Sequence, residues 1–339
     1  MKTPMQPFLW ISETDVVSMM DMGRAVDALE TGLLAEAEGN AKNMVKTHVE
    51  WEDGSTLHAI GAIFSQAGFA GTKTWSHTKG GATPLLFLFD SNDGSLKAII
   101  EAFAMGQMRT AAACGVATKW LAAENADQFA IIGTGKQAIT QVAAVLAVRP
   151  IRRIRVFGRN EDRRDQFVSR VESEFGVETI AAQSVREAVK GAQIITLATR
   201  ATEPIVSADM VQRGVHINAI GAIVPSRAEV GADALARCTQ IVADSIPQAQ
   251  KLSRELIEFF AADVSRWSSV QSLASLVANR RPRGADDDIT LFKSLGMGIS
   301  DLSLGIDLYK KALDSGLGRQ IPHPGKVSPR LHATESVKI

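Results

Sequence analysis

The chain holds two cysteines, one tyrosine and six histidines in 339 residues. Cys114 and Cys238 stand far apart in sequence and give neither a disulfide framework nor a metal-ligand pattern. Each reads as a small buried hydrophobe rather than a nucleophile. The histidines (His48, His58, His77, His216, His323, His332) show no HxxxH or HExxH spacing, so no metal site is expected. No apolar run approaches the ~18 residues of a membrane-spanning helix, and no membrane partner is expected. The opening residues carry only a short apolar patch, Phe8 to Ile11, followed by acidic residues, which does not read as a signal peptide. An excess of one charge is also missing. Thirty-seven Lys+Arg balance 37 Asp+Glu, which leaves no basic field for a nucleic-acid partner. The expected compartment is the reducing cytoplasm.

What is present is ordinary globular material, 45% hydrophobic and 22% charged, long enough for about two domains. Residues 12–38 have helical apolar spacing, with Ser12 or Thr14 as cap. Short β-type runs follow at 56–63, 69–75 and 84–89, then a long helix over 103–122. From 127 to 245 the texture changes. Apolar strands at 129–132, 154–157, 193–197, 215–220 and 240–243 alternate with helical segments near 137–148, 161–175, 184–190, 207–213 and 231–237. Such alternation with short connections predicts a parallel sheet covered on both faces. The break near 123–127 is the expected domain boundary. Residues 279–288 read as a charged loop, and the Pro-containing last fifteen residues as an extended tail.

Directly after the strand at 129–132 come Gly133, Thr134, Gly135, Lys136, Gln137 and Ala138, a GxGxxA loop that opens a helix. The first glycine permits the tight turn, and the second lets the backbone approach a pyrophosphate at the helix N-terminus. The further strand–helix alternations make this a dinucleotide-binding loop. The next strand ends in Gly158-Arg159-Asn160 with no carboxylate at its tip, although Glu161 and Asp162 follow. Arg159 and Arg163 can bond a 2′-phosphate, so NADP(H) is favoured and NAD(H) remains open.

Three cations stand out upstream: Lys46, Lys73 and Arg109. Lys73 sits in an otherwise apolar run, where a buried ammonium without a partner would be costly. Arg109 opens a helix of small residues, where its fork could take a carboxylate bidentately. Ordinary ion pairs would account for these residues equally well.

Taken together, the motifs resemble the ornithine cyclodeaminase/mu-crystallin family. They are Gly71-Thr72-Lys73, Met108-Arg109-Thr110-Ala111-Ala112, the 133–138 loop, His216 to Ala222, Ala243-Asp244-Ser245 and Asp288 to Gly296, in family order. The resemblance implies an α/β fold in which a Rossmann-type doubly wound parallel sheet is inserted in a second, α+β domain. Residues 124–289 would bind the dinucleotide. Residues 1–123 and 290–322 would bind substrate and carry a homodimer contact, with 323–339 as a flexible tail. It further implies hydride transfer between NAD(P) and the carbon of an amine/imine pair in a small amino or imino acid.

Carried over residue by residue, Lys73 is the active-site lysine and Arg109 holds the substrate carboxylate, with Thr110 beside it. Lys46 stands where the family usually has arginine, and Thr83 is an additional contact. Ala198, Thr199, Ala219 and Gly221 fall at strand ends on the cofactor side. The chain departs from the family at 223–227. Cyclodeaminases carry Asp there, followed by Pro-Gly-Lys, whereas this sequence has Ile223 and then Pro225-Ser226-Arg227. An isoleucine cannot attract a distal ammonium, and it offers an apolar wall to a ring. The expected activity is therefore reduction of cyclic ketimines such as Δ1-pyrroline-2-carboxylate or Δ1-piperideine-2-carboxylate. The alternatives are an ornithine or lysine cyclodeaminase, an open-chain amino-acid dehydrogenase, and a cofactor-bound binding protein without turnover.

Overall fold

The computed structural model describes residues 7–280 and 283–331. The opening residues 1–6, positions 281–282 of the charged loop and the end of the tail from His332 onward lie outside the described residues.

Eight parallel strands form one sheet. Their spatial order is Glu178–Ala181, Arg153–Phe157, Gln128–Ile132, Ile194–Leu197, His216–Ala219, Ile289–Lys293, Cys238–Ala243, Val270–Ser272. The chain enters at Gln128–Ile132, builds outward to one side, then returns to build the other. The reversal between Gln128–Ile132 and Ile194–Leu197 is a topological switch point, where open α/β sheets bind ligands. Every residue of Ile194–Leu197, His216–Ala219 and Ile289–Lys293 is buried, as a sheet with both faces covered requires.

Two expectations change here. Ile289–Lys293 does not belong with the C-terminal helix but is an interior strand of this sheet, so a boundary at 289/290 cuts a strand and the sheet ends at Lys293. The segment at 207–213 forms only a single 3-10 turn, Ala208–Met210.

The second sheet is mixed and larger than three runs suggest. It orders Arg319–Ile321, Phe8–Ile11, Leu96–Glu101, Leu85–Asp90, Phe69–Thr78, Ser55–Phe64 and Ala41–Asn43, with Thr47–Trp51 and Gly81–Ala82 paired at the side. The apolar patch at the start of the chain is thus an interior strand. The helix expected over 12–38 is two, Glu13–Met19 and Met22–Ala37. Asp21 interrupts it by capping the second helix, accepting from Arg24 N at 2.8 Å.

Helix Gly298–Ser315 packs on strands Ser55–Phe64, Phe69–Thr78 and Leu85–Asp90. Its first turn touches the sheet backbone: a β-carbon on Gly298 would stand 1.9 Å from Gly61 O. Helix Phe103–Leu121 ties the sheets together. It leaves the strand Leu96–Glu101, and its Thr118 hydroxyl accepts from Asn218 Nδ2 at 3.0 Å while Leu121 O accepts from Thr290 Oγ1 at 2.9 Å. Residues 322–331 form no regular element, though His323 Nε2 accepts from Leu96 N at 3.1 Å.

Candidate active site

Lys73 lies mid-strand between Ile60 and Leu86, both buried, and is itself 3% exposed. The partner that physics demands is Asp301, in the first turn of helix Gly298–Ser315. Lys73 Nζ donates to Asp301 Oδ1 in a short ion pair. Arg109 Nε stands 3.4 Å from the same oxygen without the alignment of a hydrogen bond. Asp301 Oδ2 is buried and has no partner among the described residues. Burial pushes Lys73 down to about 8, opposed by the charge of Asp301 and aided by that of Arg109. Lys46 is also lowered, first by burial and then by the Arg109 charge. The cluster thus combines Lys46, Lys73, Arg109 and Asp301.

The wall behind Arg109 is built by Asp244. Its carboxylate accepts from Ser294 Oγ (2.9 Å), Leu295 N (2.9 Å) and Gly296 N (2.8 Å), folding the turn against the guanidinium. Trp75 lies beside Lys73, its ring centroid 5.2 Å from Nζ, and stacks on His58 at 4.7 Å. Burial, with the neighbouring Lys46 charge, pushes His58 down to about 4, so its imidazole is neutral near pH 7. Thr110 donates back to Gly106 O at 3.1 Å on the same helix as Arg109. Thr83 is exposed, and no hydrogen bond or ion pair among the described residues ties it to this cluster.

The glycine loop has the geometry that a dinucleotide needs. Gly133 adopts φ +109°, and a β-carbon there would stand 2.4 Å from Ala198 O. Gly135 has nothing within 4 Å of the same position, leaving its backbone open to a pyrophosphate. Helix Ala138–Val148 starts directly behind it. Thr134 meets Gly158 at the tip of the neighbouring strand, 3.0 Å from a β-carbon built there. Lys136 is exposed, and Gln137 Oε1 is buried without a partner among the described residues. Arg159 and Arg163 are exposed at the strand tip and the first helical turn. The Asn160 side chain is engaged otherwise than expected. It caps helix Glu161–Phe175, accepting from Arg163 N at 2.9 Å.

One carboxylate, Glu229, organises the loops around Thr199 and Gly221. Glu229 Oε1 accepts from Thr199 N (2.8 Å) and Oγ1 (2.7 Å), and Oε2 accepts from Gly221 N (2.8 Å) and Ala222 N (3.1 Å). It clamps the loops that follow Ile194–Leu197, through Ala198 and Thr199, and His216–Ala219. Gly221 has to be glycine, since a β-carbon would stand 2.1 Å from Thr199 O. Behind it, Glu255 accepts from Glu229 N (2.7 Å) and from Lys293 Nζ (2.6 Å). Both charges of that pair are buried, so removing one partner costs about 3–5 kcal/mol. Ile223 and Arg227 lie on the loop beyond Gly221, 38% exposed and half-buried respectively. No hydrogen bond or ion pair among the described residues joins Arg227 to Lys73 or Arg109.

A family model, ornithine cyclodeaminase/mu-crystallin, matches residues 8–316. The chain belongs to this family. Among family members, the Δ1-pyrroline-2-carboxylate reductase of Bacillus cereus is 33% identical over 239 residues, 70% of this chain and 73% of that protein. The alanine dehydrogenase of Archaeoglobus fulgidus is 29% identical over 322 residues, 92% of this chain and 98% of that one. The solved structure of Thermococcus litoralis Δ1-pyrroline-2-carboxylate reductase, in complex with NADH and L-proline, has a TM-score of 0.86 at 29% identity. That likeness covers 93% of this chain and all of the other.

Proposed function

We propose that this family member is an NAD(P)H-dependent reductase of small α-imino acids, with cyclic ketimines such as Δ1-pyrroline-2-carboxylate or Δ1-piperideine-2-carboxylate as substrates and proline or pipecolate as products. The observation that carries it is a buried lysine held beside Arg109 by one carboxylate, in a chain that also carries a dinucleotide loop and has Ile223 where a cyclodeaminase needs an acid. Residues Gly133–Gln137 would hold a reduced nicotinamide dinucleotide, which would supply the hydride.

The chain's own groups do the rest. Arg109 offers two parallel donors to the substrate carboxylate, and Lys46 adds a second cation to the same charge. Lys73, an ammonium whose hold on its proton is weakened by burial, keeps the imine nitrogen protonated and therefore electrophilic. Fixing the carboxylate also fixes the imine carbon, so much of the rate comes from alignment. Arg159 favours NADPH over NADH. The exposed Val49, Trp51 and Leu57 occupy the outer side of strands Thr47–Trp51 and Ser55–Phe64 and suit a second copy of the chain, giving a homodimer. Free Cys114 and Cys238 accord with a reducing cytoplasm. No helix of the described residues is long and apolar enough to cross a membrane.

The test is a substrate panel, read as loss of reduced-nicotinamide absorbance. The two cyclic ketimine carboxylates should turn over with kcat/KM at least tenfold above that of pyruvate plus ammonia. A reversed order would favour the open-chain dehydrogenase. Intact cofactor binding without turnover of any imine would favour a binding protein.

A further inference from the structure

The site and its supporting loops hold four carboxylates, Asp244, Glu36, Glu229 and Asp301, and they are not equivalent. Asp244 is occupied by two backbone amides and a hydroxyl. Glu36 sits behind Asn43, whose Nδ2 donates to its Oε1 at 2.9 Å while Asn43 Oδ1 takes Ile299 N at 2.9 Å. Glu229 is filled by four donors of the cofactor loops. Glu36 keeps a buried oxygen, Oε2, without a partner as well, but no ion pair among the described residues joins it to a cation, whereas Asp301 is paired with Lys73. Asp301 is fully buried, it touches Lys73 through one oxygen only, and its Oδ2 has no donor among the described residues. A buried carboxylate oxygen left without a donor is costly, which leaves it free to take a donor from a molecule bound beside Lys73 and Arg109.

We propose that Asp301 Oδ2 receives the hydrogen on the substrate's ring nitrogen, making Lys73 and Asp301 a proton donor and its shared counter-ion. The proposal rests on the imine-reductase reading. The ketimine enters neutral at nitrogen. Its lone pair takes a proton from the Lys73 ammonium; the new N–H bond forms as the Lys73 N–H bond breaks, leaving a neutral amine. One positive charge moves from lysine to substrate, and Asp301 pairs with it before and after. The hydride from reduced nicotinamide then bonds to the iminium carbon. The C=N π pair settles on nitrogen, and the nicotinamide is left oxidised by two electrons. The transferred proton stays on the product nitrogen, and solvent supplies the one proton the net reaction consumes, restoring the Lys73 ammonium. The lowered proton affinity of Lys73 suits this release. Ile223 removes the loop carboxylate that would compete for the role.

Binding separates this role from simple support of Lys73. The full-length protein with oxidised cofactor is titrated calorimetrically with L-proline and with cyclopentanecarboxylate, which has the ring and carboxylate but no nitrogen. Wild type should prefer L-proline at least tenfold. Asp301→Asn should bring the ratio near one, while Lys73→Met, which leaves the carboxylate in place, should preserve it. Equal affinities in wild type overturn the proposal, and that result needs no variant to fold. So does an Asp301→Asn protein that weakens both ligands together, or a Lys73→Met protein that loses the preference. Ketimine turnover by wild type is scored in parallel. Turnover with an unchanged ratio overturns the Asp301 role alone. Absence of turnover with an intact proline preference overturns the reductase reading instead.

Discussion

Gly296 and Arg109 are fitted to each other. A β-carbon on Gly296 would stand 3.1 Å from Arg109 Nη1 and 3.8 Å from Nη2, and the backbone there has φ +94°. The turn is rigid because Asp244 holds Gly296 N and Gln248 Nε2 holds Gly296 O at 2.9 Å. Gly296→Ala therefore strains the turn and displaces the guanidinium. The KM for the imino acid should rise about tenfold or more, the factor expected when one arm of a charge-assisted pair is lost. Dinucleotide affinity should stay near wild type. Steady-state kinetics with varied imino acid, set beside a fluorescence titration of NADPH, measure both. An unchanged KM would show that the carboxylate is held elsewhere.

What the sequence reveals and what it hides divide along locality. The glycine loop is legible because its turn, its open backbone face and its helix are all specified within Gly133–Ala138. Lys73 is legible as an anomaly, an ammonium in an apolar strand, but its partner is 228 positions away. Only the packing of Gly298 on Gly61 brings Asp301 there. Glu229, Glu255 and Lys293 are hidden for the same reason. Each looks like an ordinary charge in its own segment, and their burial together depends on a loop, the helix Arg254–Phe260 and the strand Ile289–Lys293. Ile289–Lys293 misleads differently. A five-residue segment of three apolar residues, Thr290 and Lys293 reads equally well as buried helix or strand, and only its place between His216–Ala219 and Cys238–Ala243 decides.

Arg159 sets the second prediction. It is exposed at the strand tip next to Gly158, while Asn160 is committed to its helix cap. If Arg159 meets a 2′-phosphate, wild type prefers NADPH. Arg159→Asp should then raise the KM for NADPH about 10–100-fold, the scale of a lost charge-assisted bond plus repulsion, with little change for NADH. A wild-type preference for NADH would remove this assignment.

The third concerns pH. Lys73 is lowered from 10.5 to about 8 by burial, facing Asp301, Arg109 and Lys46. A proton donor must be charged to act, so kcat/KM for a ketimine should fall as pH rises through about 8. Asp301→Asn removes the charge that raises this value and should move the falling limb to lower pH. The stability effect has its own sign. Below about 8 the group is charged in both states and the burial penalty is fully present. Between about 8 and 10.5 the unfolded chain binds more protons than the native one, so this group's contribution to stability rises with pH. A kcat/KM profile that stays flat to about pH 10, the free-lysine range, would remove Lys73 as the donor.

The last prediction turns on Ile223. Cyclodeamination of L-ornithine must hold a distal ammonium near the imine carbon, and a nearby carboxylate would pair with it and take its proton. Ile223 cannot do this, and an unpaired ammonium against an apolar side chain carries a desolvation cost. Two neighbouring acids might be thought to substitute, but both are occupied. Glu229 is filled by its four donors, and Asp233 accepts from Ala208 N at 2.8 Å and Ala234 N at 2.9 Å. The neutral ring of a ketimine has no distal charge to satisfy, and its methylenes can pack on the isoleucine. Purified protein given L-ornithine and oxidised cofactor should therefore release little ammonia while reducing a cyclic ketimine readily. Ile223→Asp should shift the balance, lowering ketimine kcat/KM and raising ornithine-dependent ammonia release by about 10-fold or more, the scale of one gained charge pair. Ammonia assayed in a coupled reaction measures the first arm, and nicotinamide absorbance the second. Stoichiometric ammonia and proline from L-ornithine with the wild-type protein would restore the cyclodeaminase reading.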